Sequence, residues 1–454
     1  MKESVQTQQN ELAGKYYPYP EYKDSGVEWL GEVPSEWTAS RLKFIASIIM
    51  GQSPSSEDCN DLGIGNPFLQ GNAEFGQRSP TPKQYCDSAN KNANVGDFLF
   101  SVRAPVGAVN IADQRYGIGR GLCAIRSHED IAPLYLWWVL QTSKIQFDAI
   151  STGSTFEAVS SEQVCNFALA IPSKNEQHTI ATFLDYETAR LDRLIAQQKR
   201  LIELLKEKRQ AVISHAVTKG LNPNAPMKDS GIEWLGQVPE HWDVLPIQRL
   251  LKKVEQGSSP VAENRVPEDG EYGVLKISAI KKGKFITTEV KTLESFTHYN
   301  SRYKVKRGDL LVTRANTPSL VADVCVVDAE PSSPTMMSDL IYRLTTTDAV
   351  DNTFLCSWLL SDFGRMQIEI DARGSSMTMA KVSQGHIKSW LVILPPLGEQ
   401  IEINTFLATK QEKFEKLIYK AESAISLMQE RRTALIFAAV TGKVDVRDWE
   451  RVVL

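Results

Sequence analysis

The sequence predicts an α+β protein with two strand-rich globular domains separated by two long helices that pair as an antiparallel coiled coil. Three observations predict this fold class. Two long stretches have the seven-residue apolar spacing typical of coiled coils. A short segment rich in Gly, Trp and Pro occurs twice. Between these repeats, short apolar runs alternate with turn residues, as in mixed strand-rich domains. The chain is therefore expected to be an internal repeat with a pseudo-twofold axis.

The two long stretches span residues 175–217 and 398–440. Glu176 aligns with Glu399 and Lys208 with Arg431, and both pairs are 223 positions apart. A helix of this length extends about 65 Å at about 1.5 Å per residue, which is too long for the interior of one small domain. Each helix therefore needs a partner. The heptads alone also fit a dimerisation coiled coil, but the duplication favours pairing of the two copies with each other.

The coiled-coil interpretation assigns two sets of apolar residues to the seam between the helices. One set recurs every seven residues, and the other adds leucines three residues later. The predicted seam consists of Leu184, Leu191, Leu194, Leu201, Leu205 and Val212 in the first helix and Leu407, Phe414, Leu417, Met428 and Leu435 in the second.

The bulk composition indicates an ordinary globular protein. A chain of 454 residues is long enough for two or three domains, and its 42% hydrophobic and 23% charged content is typical of such domains. There is no apolar run of membrane-spanning length and no signal-peptide core at the N-terminus, so we expect a cytoplasmic protein without membrane contact. A net charge of −4 argues against a protein that coats nucleic acid unaided, but it leaves room for local basic surfaces.

The cysteines and histidines do not indicate a metal site. Six cysteines are scattered without a Cys-x-x-Cys pair, and the six histidines are equally dispersed. Zinc sites need closely spaced ligand pairs, so we predict reduced thiols and no metal.

The order of features along the chain predicts five segments. A polar tail without order occupies residues 1–18, and the first globular domain follows at 19–172. The central helix is placed at 173–220, the second globular domain at 221–396, and the C-terminal helix with its tail at 397–454. Residues 23–37 recur almost unchanged as 228–242, and we call these segments clip 1 and clip 2. The globular parts between clip and helix are much less similar to each other.

The repeated features resemble the specificity subunit of type I restriction-modification systems, over nearly the whole chain from about Tyr19. The resemblance depends on the duplicated Lys-Asp-Ser-Gly-x-Glu-Trp-Leu-Gly-x-Val-Pro-x-x-Trp clip and on a Gly-Asp-[Phe/Leu]-Leu strand followed by Arg103 or Arg314. It also depends on a Gly-Ser-[Thr/Ser] loop and on Ile-Pro or Leu-Pro-Pro before Glu-Gln and the long helix. Each motif is weak alone, but their repeated order is specific.

This resemblance implies a DNA-recognition subunit without catalytic residues. Each globular domain would be a target recognition domain for one half of an asymmetric bipartite site in double-stranded DNA. The helix pair would set the spacer and dock two modification (methyltransferase) subunits. Those subunits would carry S-adenosylmethionine, so no cofactor is expected on this chain. Restriction subunits, which are ATP-dependent translocases and nucleases, would complete the complex.

The resemblance assigns no base-contacting residues, so the candidates come from hydrogen-bonding chemistry and loop context. In the first domain we predict DNA contacts by Gln52, Ser53, Gln70, Asn72, Arg103, Arg115, Arg120, Ser154 and Thr155. In the second domain we predict contacts by Gln256, Ser258, Lys276, Ser278, Lys281, Lys282, Arg314, Asn316, Ser375 and Ser376. For any single one of them, a solvated or turn-stabilising role is the alternative.

Two other functions have weaker support in the sequence. Asn66-Pro67-Phe68 has part of an adenine methyltransferase signature but lacks its second proline, and no Gly-rich cofactor turn lies nearby. The sequence also has no P-loop, which argues against a translocating motor. The alternative from a different class is a protein scaffold that does not bind nucleic acid, with two β-rich modules spaced by a coiled coil. The acidic composition favours that alternative slightly, and the family resemblance disfavours it.

Overall fold

The computed structural model describes residues 16–87, 89–143, 147, 158–317, 320–372 and 380–450. The chain forms two compact units. Unit 1 contains the residues up to Lys199 and those from Glu422 onward, and unit 2 contains Arg200–Ala421. Each unit therefore combines one globular domain with a part of each long helix. The mixture of helices and strands with two long helices confirms the predicted fold class.

The globular part of unit 1 consists of thirteen strands and three short helices among the described residues. The strands are β1 (Tyr22–Asp24), β2 (Glu32–Pro34), β3 (Thr38–Arg41), β4 (Ala46–Met50), β5 (Cys59–Asn60), β6 (Asn66–Leu69), β7 (Gln84–Cys86), β8 (Asn92–Ala93), β9 (Phe98–Ser101), β10 (Val109–Ile111), β11 (Tyr116–Ile118), β12 (Leu122–Ser127) and β13 (Ala168–Ile171). The helices are α1 (Leu42–Ile45), α2 (Pro133–Gln141) and α3 (Ser161–Cys165). The first long helix, α4 (Lys174–Lys219), follows and continues into unit 2.

Unit 2 continues with sixteen described strands and three short helices. The strands are β14 (Met227–Asp229), β15 (Gln237–Pro239), β16 (Asp243–Pro246), β17 (Leu251–Gln256), β18 (Ala262–Glu263), β19 (Gly273–Leu275), β20 (Ile280–Lys281), β21 (Lys284–Phe285), β22 (Val290–Leu293), β23 (Leu310–Thr313), β24 (Ala315–Asn316), β25 (Val324–Val326), β26 (Thr335–Met336), β27 (Ile341–Thr346), β28 (Ala380–Lys381) and β29 (Leu391–Leu394). The helices are α5 (Asn352–Leu360), α6 (Asp362–Ala372) and α7 (Gln384–Ser389), before the second long helix, α8 (Leu397–Val440).

Two sheets carry the core of each globular part. In unit 1 an antiparallel sheet has the order β10-β9-β12-β4, and a mixed sheet has the order β5-β7-β6-β11-β8. In unit 2 the antiparallel sheet is β17-β27-β23-β25 and the mixed sheet is β18-β22-β19-β26. Each mixed sheet contains one parallel pair, β6 with β11 in unit 1 and β19 with β26 in unit 2. The two domains thus share a topology despite their low sequence similarity.

The Gly-Asp motif that precedes β9 and β23 is a structural anchor. Gly96 and Gly308 both have a positive φ, which glycine adopts without strain. The carboxylate of Asp97 accepts a bidentate pair of bonds from Arg126 at 2.7 and 2.8 Å. In unit 2, Asp309 accepts a bond from Arg343 at 3.2 Å. Both aspartates also accept the backbone N–H three residues upstream, so the motif fixes the turn that starts the strand.

Each clip packs on the C-terminal end of a long helix within its own unit. In unit 2, Trp242 is fully buried beside Gly220, which ends α4 with a φ of +76°. In unit 1, Trp37 is buried beside Gly442, which ends α8 with a φ of +71°. A Cβ on Gly442 would lie 2.3 Å from the Pro34 side chain. The two near-identical clips therefore have the same structural role, since each packs on the C-terminal end of a long helix.

The long helices run antiparallel inside each unit. In unit 1, Trp449 beyond the end of α8 packs on Phe183, and Arg432 forms an ion pair with Asp192 further along α4 at 3.1 Å. In unit 2, Glu399 near the start of α8 accepts a bond from Trp242, which adjoins Gly220 at the end of α4. Residue numbers therefore rise along α4 while those of its partners on α8 fall, as in an antiparallel pair.

Three of the eleven predicted seam residues are exposed in the structure, and the seam is corrected at these positions. Among the residues that recur every seven positions, Leu184, Leu191, Leu407, Phe414 and Leu435 are buried and Leu205, Val212 and Met428 are half-buried. The added leucines are exposed by 40% at Leu194, 43% at Leu201 and 40% at Leu417. Ile195 and Ile202 are buried instead, at 8% and 9%. The spacing between apolar residues in a heptad alternates between three and four. The prediction placed the second apolar residue three positions after the first, and in the structure it lies four positions after the first.

Part of the segment predicted as an N-terminal tail packs on unit 1. Tyr16 lies within the predicted tail, yet its ring packs edge-on against Phe183 with 5.3 Å between centroids. Tyr19 is buried and donates a 2.6 Å hydrogen bond to Glu176. Burial is the main cause that raises the pKa of the Tyr19 hydroxyl, and the Glu176 bond adds to it, so this tyrosine stays neutral.

Candidate nucleic-acid interface

Several predicted DNA contacts of unit 1 come together where three strands end. Ser53 follows β4, Gln70 follows β6, and Arg120 lies between β11 and β12. The Gln70 amide donates to the Ser53 hydroxyl at 2.8 Å, and the Arg120 backbone N–H donates to the same oxygen at 3.3 Å. Gln52 joins them through its backbone, which donates to the Ile118 carbonyl at 2.9 Å. Gln52, Gln70 and Arg120 are exposed, so this cluster faces solvent with polar side chains.

Glycines allow the three strand ends to approach each other closely. A Cβ on Gly51 would lie 2.1 Å from the Gly119 carbonyl oxygen. A Cβ on Gly121 would lie 2.6 Å from the Gln70 carbonyl oxygen. Both neighbours are backbone atoms, which cannot rotate away as a flexible side chain can. The Gly-rich context that suggested loops thus holds the polar side chains on a tight backbone frame.

A groove beside this cluster contains two of the predicted contacts. It has a volume of about 760 Å³, and its lining includes Gln70, Asn72, Lys83 and Gln84 together with the acidic Asp61 and Glu74. Amide side chains both donate and accept hydrogen bonds, which suits contact with base edges. The groove is therefore a polar surface continuous with the cluster at Gln70.

The remaining arginines predicted in unit 1 occupy different places. Arg103 is exposed and follows Val102, whose N–H donates to the Gly121 carbonyl, so it lies at the same end of the sheets as Arg120. Arg115 is also exposed, but it precedes β11, whereas Arg120 follows it. The structure therefore groups Arg103 with the cluster and places Arg115 at the opposite end of a strand.

Unit 2 has a matching set of strand ends. Gln256 ends β17, and its side chain donates to the Asp339 carbonyl at 2.9 Å. The Ser258 N–H donates to the Met337 carbonyl at 3.1 Å. A Cβ on Gly257 would lie 2.2 Å from that same Met337 oxygen, so this glycine has the role of Gly51. The backbone frame is therefore repeated in the second domain.

Sequence reasoning missed two residues of this second cluster. The Ser259 and Asp339 side chains are hydrogen-bonded to each other, and the Asp339 N–H donates to the Ser259 hydroxyl at 3.1 Å. These contacts repeat those of Ser53 with Arg120. The signal that could have revealed them is the alignment of Gly51-Gln52-Ser53 with Gly257-Ser258-Ser259.

Arg103 and Arg314 do not occupy equivalent positions, although each follows the Gly-Asp strand. Arg314 donates its N–H to Leu340 and accepts from Val382, whereas in unit 1 Val102 makes the matching bonds to Gly121 and Val159. Arg103 instead forms the bridge to Ala158 that Ala315 forms to Lys381. A shift of one residue along a strand reverses the side-chain direction. Accordingly Arg103 is exposed and Arg314 is half-buried.

The other candidates of unit 2 are spread over nearby turns. Lys281 and Lys282 are exposed at the tip of the β20–β21 hairpin, and Lys284 ties this hairpin to Glu415 of α8 at 2.6 Å. The Lys282 N–H donates to Asp323 at 2.8 Å. Burial raises the pKa of the Asp323 carboxyl, and the backbone donors oppose this change. Ser278 is exposed and donates to Glu289, and half-buried Asn316 accepts from the Thr317 N–H at 2.8 Å.

Four predicted phosphate contacts lie outside the residues that the structure describes. They are Ser154, Thr155, Ser375 and Ser376. Their assignment stays a prediction.

The sequence profile described as the type I restriction modification DNA specificity domain matches this chain twice, at residues 34–204 and 239–422. The two matches together cover far more than half of the chain. The chain belongs to this family. Each specificity domain extends from the end of a clip through the two sheets and into a long helix, so it includes the strand-end cluster of its unit.

Two curated relatives from Methanocaldococcus jannaschii illustrate the similarity. One is the type I restriction enzyme MjaIX specificity subunit, 23% identical over 443 residues that cover 94% of this chain and 97% of the relative. Another, named as a MjaX specificity subunit, is 34% identical over 202 residues, and this match covers 44% of the chain and 46% of the relative. That higher similarity thus extends over about half the length of that relative.

A solved structure supports the fold of this specificity-domain chain. It comes from a study of complex assembly and conformational transition of the type I R-M system, and it superposes with a TM-score of 0.66. The superposition covers 90% of this chain and 98% of that chain at 15% sequence identity. In the described parts of the chain, no helix is both long and apolar enough to cross a membrane.

Proposed function

We propose that this chain is the DNA sequence-specificity subunit of a type I restriction-modification complex, and that each unit recognises one half of an asymmetric bipartite site in double-stranded DNA. The observation that carries the proposal is the double occurrence of the specificity domain, each copy with a polar cluster at matching strand ends. Two unlike sets of side chains on one repeated frame suit two unlike half-sites, because base edges differ in their donors and acceptors.

In this proposal the chain is a recognition subunit and catalyses no reaction itself. Two modification subunits dock on the long helices and supply the methyl-transfer chemistry with S-adenosylmethionine, and restriction subunits complete the complex in the cytoplasm. The exposed leucines Leu194 in unit 1 and Leu417 in unit 2 occupy matched positions of the two helices and offer apolar contacts for such partners. The helix pair sets the spacer between the half-sites.

The test is a map of DNA methylation in cells that express this chain with its cognate modification subunit. We expect a bipartite methylated motif that disappears when the chain is omitted. If a modification subunit copurifies with the chain but no motif depends on it, the DNA-specificity function is refuted and a protein-scaffold function becomes the better explanation.

A further inference from the structure

The hydrogen-bond register identifies equivalent positions in the two clusters. Gly51 N–H donates to Leu122 and Gln52 N–H to Ile118, while Gly257 N–H donates to Ile341 and Ser258 N–H to Met337. These bonds align β4 with β17 and make Ile118 equivalent to Met337. Residues 120 and 339, each two positions further along the chain, are then equivalent as well. Arg120 and Asp339 therefore occupy the same place in the two units.

The parallel strand pairs extend this equivalence to a third position. Gly117 pairs with Phe68 in unit 1, and Met336 pairs with Val274 in unit 2. Continuing each strand by two residues aligns Gln70 with Lys276. The matched triplets are thus Ser53, Gln70 and Arg120 in unit 1 and Ser259, Lys276 and Asp339 in unit 2.

The two triplets share a serine, and in each unit its hydroxyl accepts a hydrogen bond from the third member of the triplet. The Ser53 hydroxyl accepts from the Arg120 N–H at 3.3 Å, and the Ser259 hydroxyl accepts from the Asp339 N–H at 3.1 Å. The same backbone bond therefore fixes two side chains of opposite charge. An arginine side chain only donates hydrogen bonds, and an ionised aspartate only accepts them.

We propose that Arg120 and Asp339 are matched specificity-determining residues, with Arg120 binding a guanine in one half-site and Asp339 binding the amino group of a cytosine in the other. This inference rests on the proposed function. Guanine presents two acceptors, N7 and O6, in the major groove, which suit the guanidinium fork. Cytosine presents the N4 amino donor, which suits a carboxylate. Adenine is a poorer partner for Asp339 because its N7 acceptor lies beside its amino group.

The positions of Arg120 and Asp339 in the structure favour contact with DNA bases over a purely structural role for these residues. Arg120 is exposed and Asp339 is half-exposed, and both are at strand ends whose close approach requires Gly51 or Gly257. A rigid backbone frame that ends in an exposed charged side chain is the arrangement that sequence-specific contact requires. The difference in charge predicts half-sites of different composition.

The experiment uses the full complex with its modification subunits and compares the methylated motifs of the wild type, Arg120→Gln and Asp339→Asn. Arg41→Gln is the control for the first variant, since Arg41 is an exposed arginine of β3, a strand outside the two sheets that form the cluster. Asp348→Asn is the control for the second, since it follows β27 whereas Asp339 precedes it. We expect each test variant to lose about 10- to 100-fold discrimination at one base pair of its own half-site. The controls keep the wild-type motif.

A second measurement changes the DNA and needs no further protein variant. Replacing the guanine assigned to Arg120 by 7-deazaguanine removes the N7 acceptor, and we expect about 10-fold weaker binding by the wild type. The same replacement should leave binding by Arg120→Gln unchanged. The inference is overturned if both variants keep the wild-type motif, or if both alter the same half-site. If the wild-type chain itself directs no motif, the proposed function fails instead.

Discussion

In unit 1, Ile49 and Ala124 face each other across β4 and β12, whereas unit 2 places Glu255 and Arg343 at the matching positions of β17 and β27. The first pair contributes to an apolar cluster. In the second, Arg343 donates to Glu255 at 3.0 Å, and Lys253 and Arg302 also bind this carboxylate. The same strand pairing therefore accommodates apolar or ionic contacts. Backbone register is what the units share, and side chains are free to differ.

The long helices show the opposite behaviour. Leu191 and Leu194 of α4 correspond to Phe414 and Leu417 of α8, and in each pair the first residue is buried and the second exposed. The helices thus keep both register and burial, while the sheets keep register alone. This difference is consistent with a helix pair that has the same structural role in both units and with two domains that recognise different half-sites.

The largest expected effect concerns the helix seam. Leu191→Asp and Phe414→Asp each place a charge at a buried position, and we expect each to destabilise its unit by several kcal/mol, about 3 or more. Leu194→Asp and Leu417→Asp are the matched controls, since these leucines are exposed, and should cost less than about 1 kcal/mol. Thermal and urea unfolding of the four variants measures this difference. Equal losses at buried and exposed positions would contradict the corrected seam.

A smaller effect is expected at the glycines of the two clusters. Gly51→Ala and Gly257→Ala each bring a methyl group within about 2.2 Å of a backbone oxygen. We expect a loss of about 1–3 kcal/mol in unfolding free energy together with weaker binding of the corresponding half-site.

Gly71→Ala and Gly398→Ala provide the controls for these glycines, because a Cβ there has no neighbour within 4 Å. Calorimetry should give both controls a stability near that of the wild type, and Gly398→Ala should also keep wild-type half-site binding. Normal stability and binding in Gly51→Ala would show that the close approach of the strand ends is unimportant.

A pH-dependent effect, no larger than the upper end of the glycine effect, distinguishes the interiors of the two antiparallel sheets. The hydrogen bond from Lys253, with those from Arg343 and Arg302, lowers the pKa of Glu255 to about 2. Because this pKa is lower in the folded state than its unfolded value of 4.5, the ionised Glu255 stabilises the fold at pH values above 4.5. This stabilisation is lost as the pH falls toward 2 and the carboxylate becomes protonated. Glu255→Gln should therefore cost about 2 kcal/mol at pH 7, and the difference from wild type should shrink between about pH 5 and pH 2.

Urea unfolding across this pH range measures the Glu255 effect, and Ile49→Val in unit 1 is a control without a titrating group. A difference between wild type and Glu255→Gln that is independent of pH would exclude the ion network as its cause.

The fold was largely predictable from the sequence because its strongest signals repeat. The heptads located both long helices to within two residues. The two family matches begin at residues 34 and 239, inside the duplicated clips. The choice between Leu194 and Ile195 was not predictable, because both are apolar and only packing selects the step of four over the step of three. The one-residue offset between Arg103 and Arg314 was likewise not predictable from the sequence. It depends on the hydrogen-bond register of the strands, whereas the prediction used only the position of each arginine after the Gly-Asp motif.

The site was predictable in part for the same reason. Gln52, Ser53, Gln70 and Arg120 lie in Gly-rich stretches that punctuate the sequence, and the structure brings them together. Alignment with Gly51-Gln52-Ser53 could have identified Ser259, but Asp339 lies 80 residues further along the chain. Its contact with Ser259 is visible only in the folded structure.

Unit 1 is assembled from the two ends of the chain. The Asp445 N–H donates to the Tyr17 carbonyl at 2.8 Å, Tyr22 donates to the Gly442 carbonyl at 3.0 Å, and Val444 and Val446 are buried in its core. Unit 2 is contiguous and ends at Ala421. Because unit 2 ends at Ala421, all of its residues are synthesised before the segment from Glu422 onward, which unit 1 also needs. We therefore expect unit 2 to fold before unit 1, in contrast to the usual order of domain folding from the N-terminus onward.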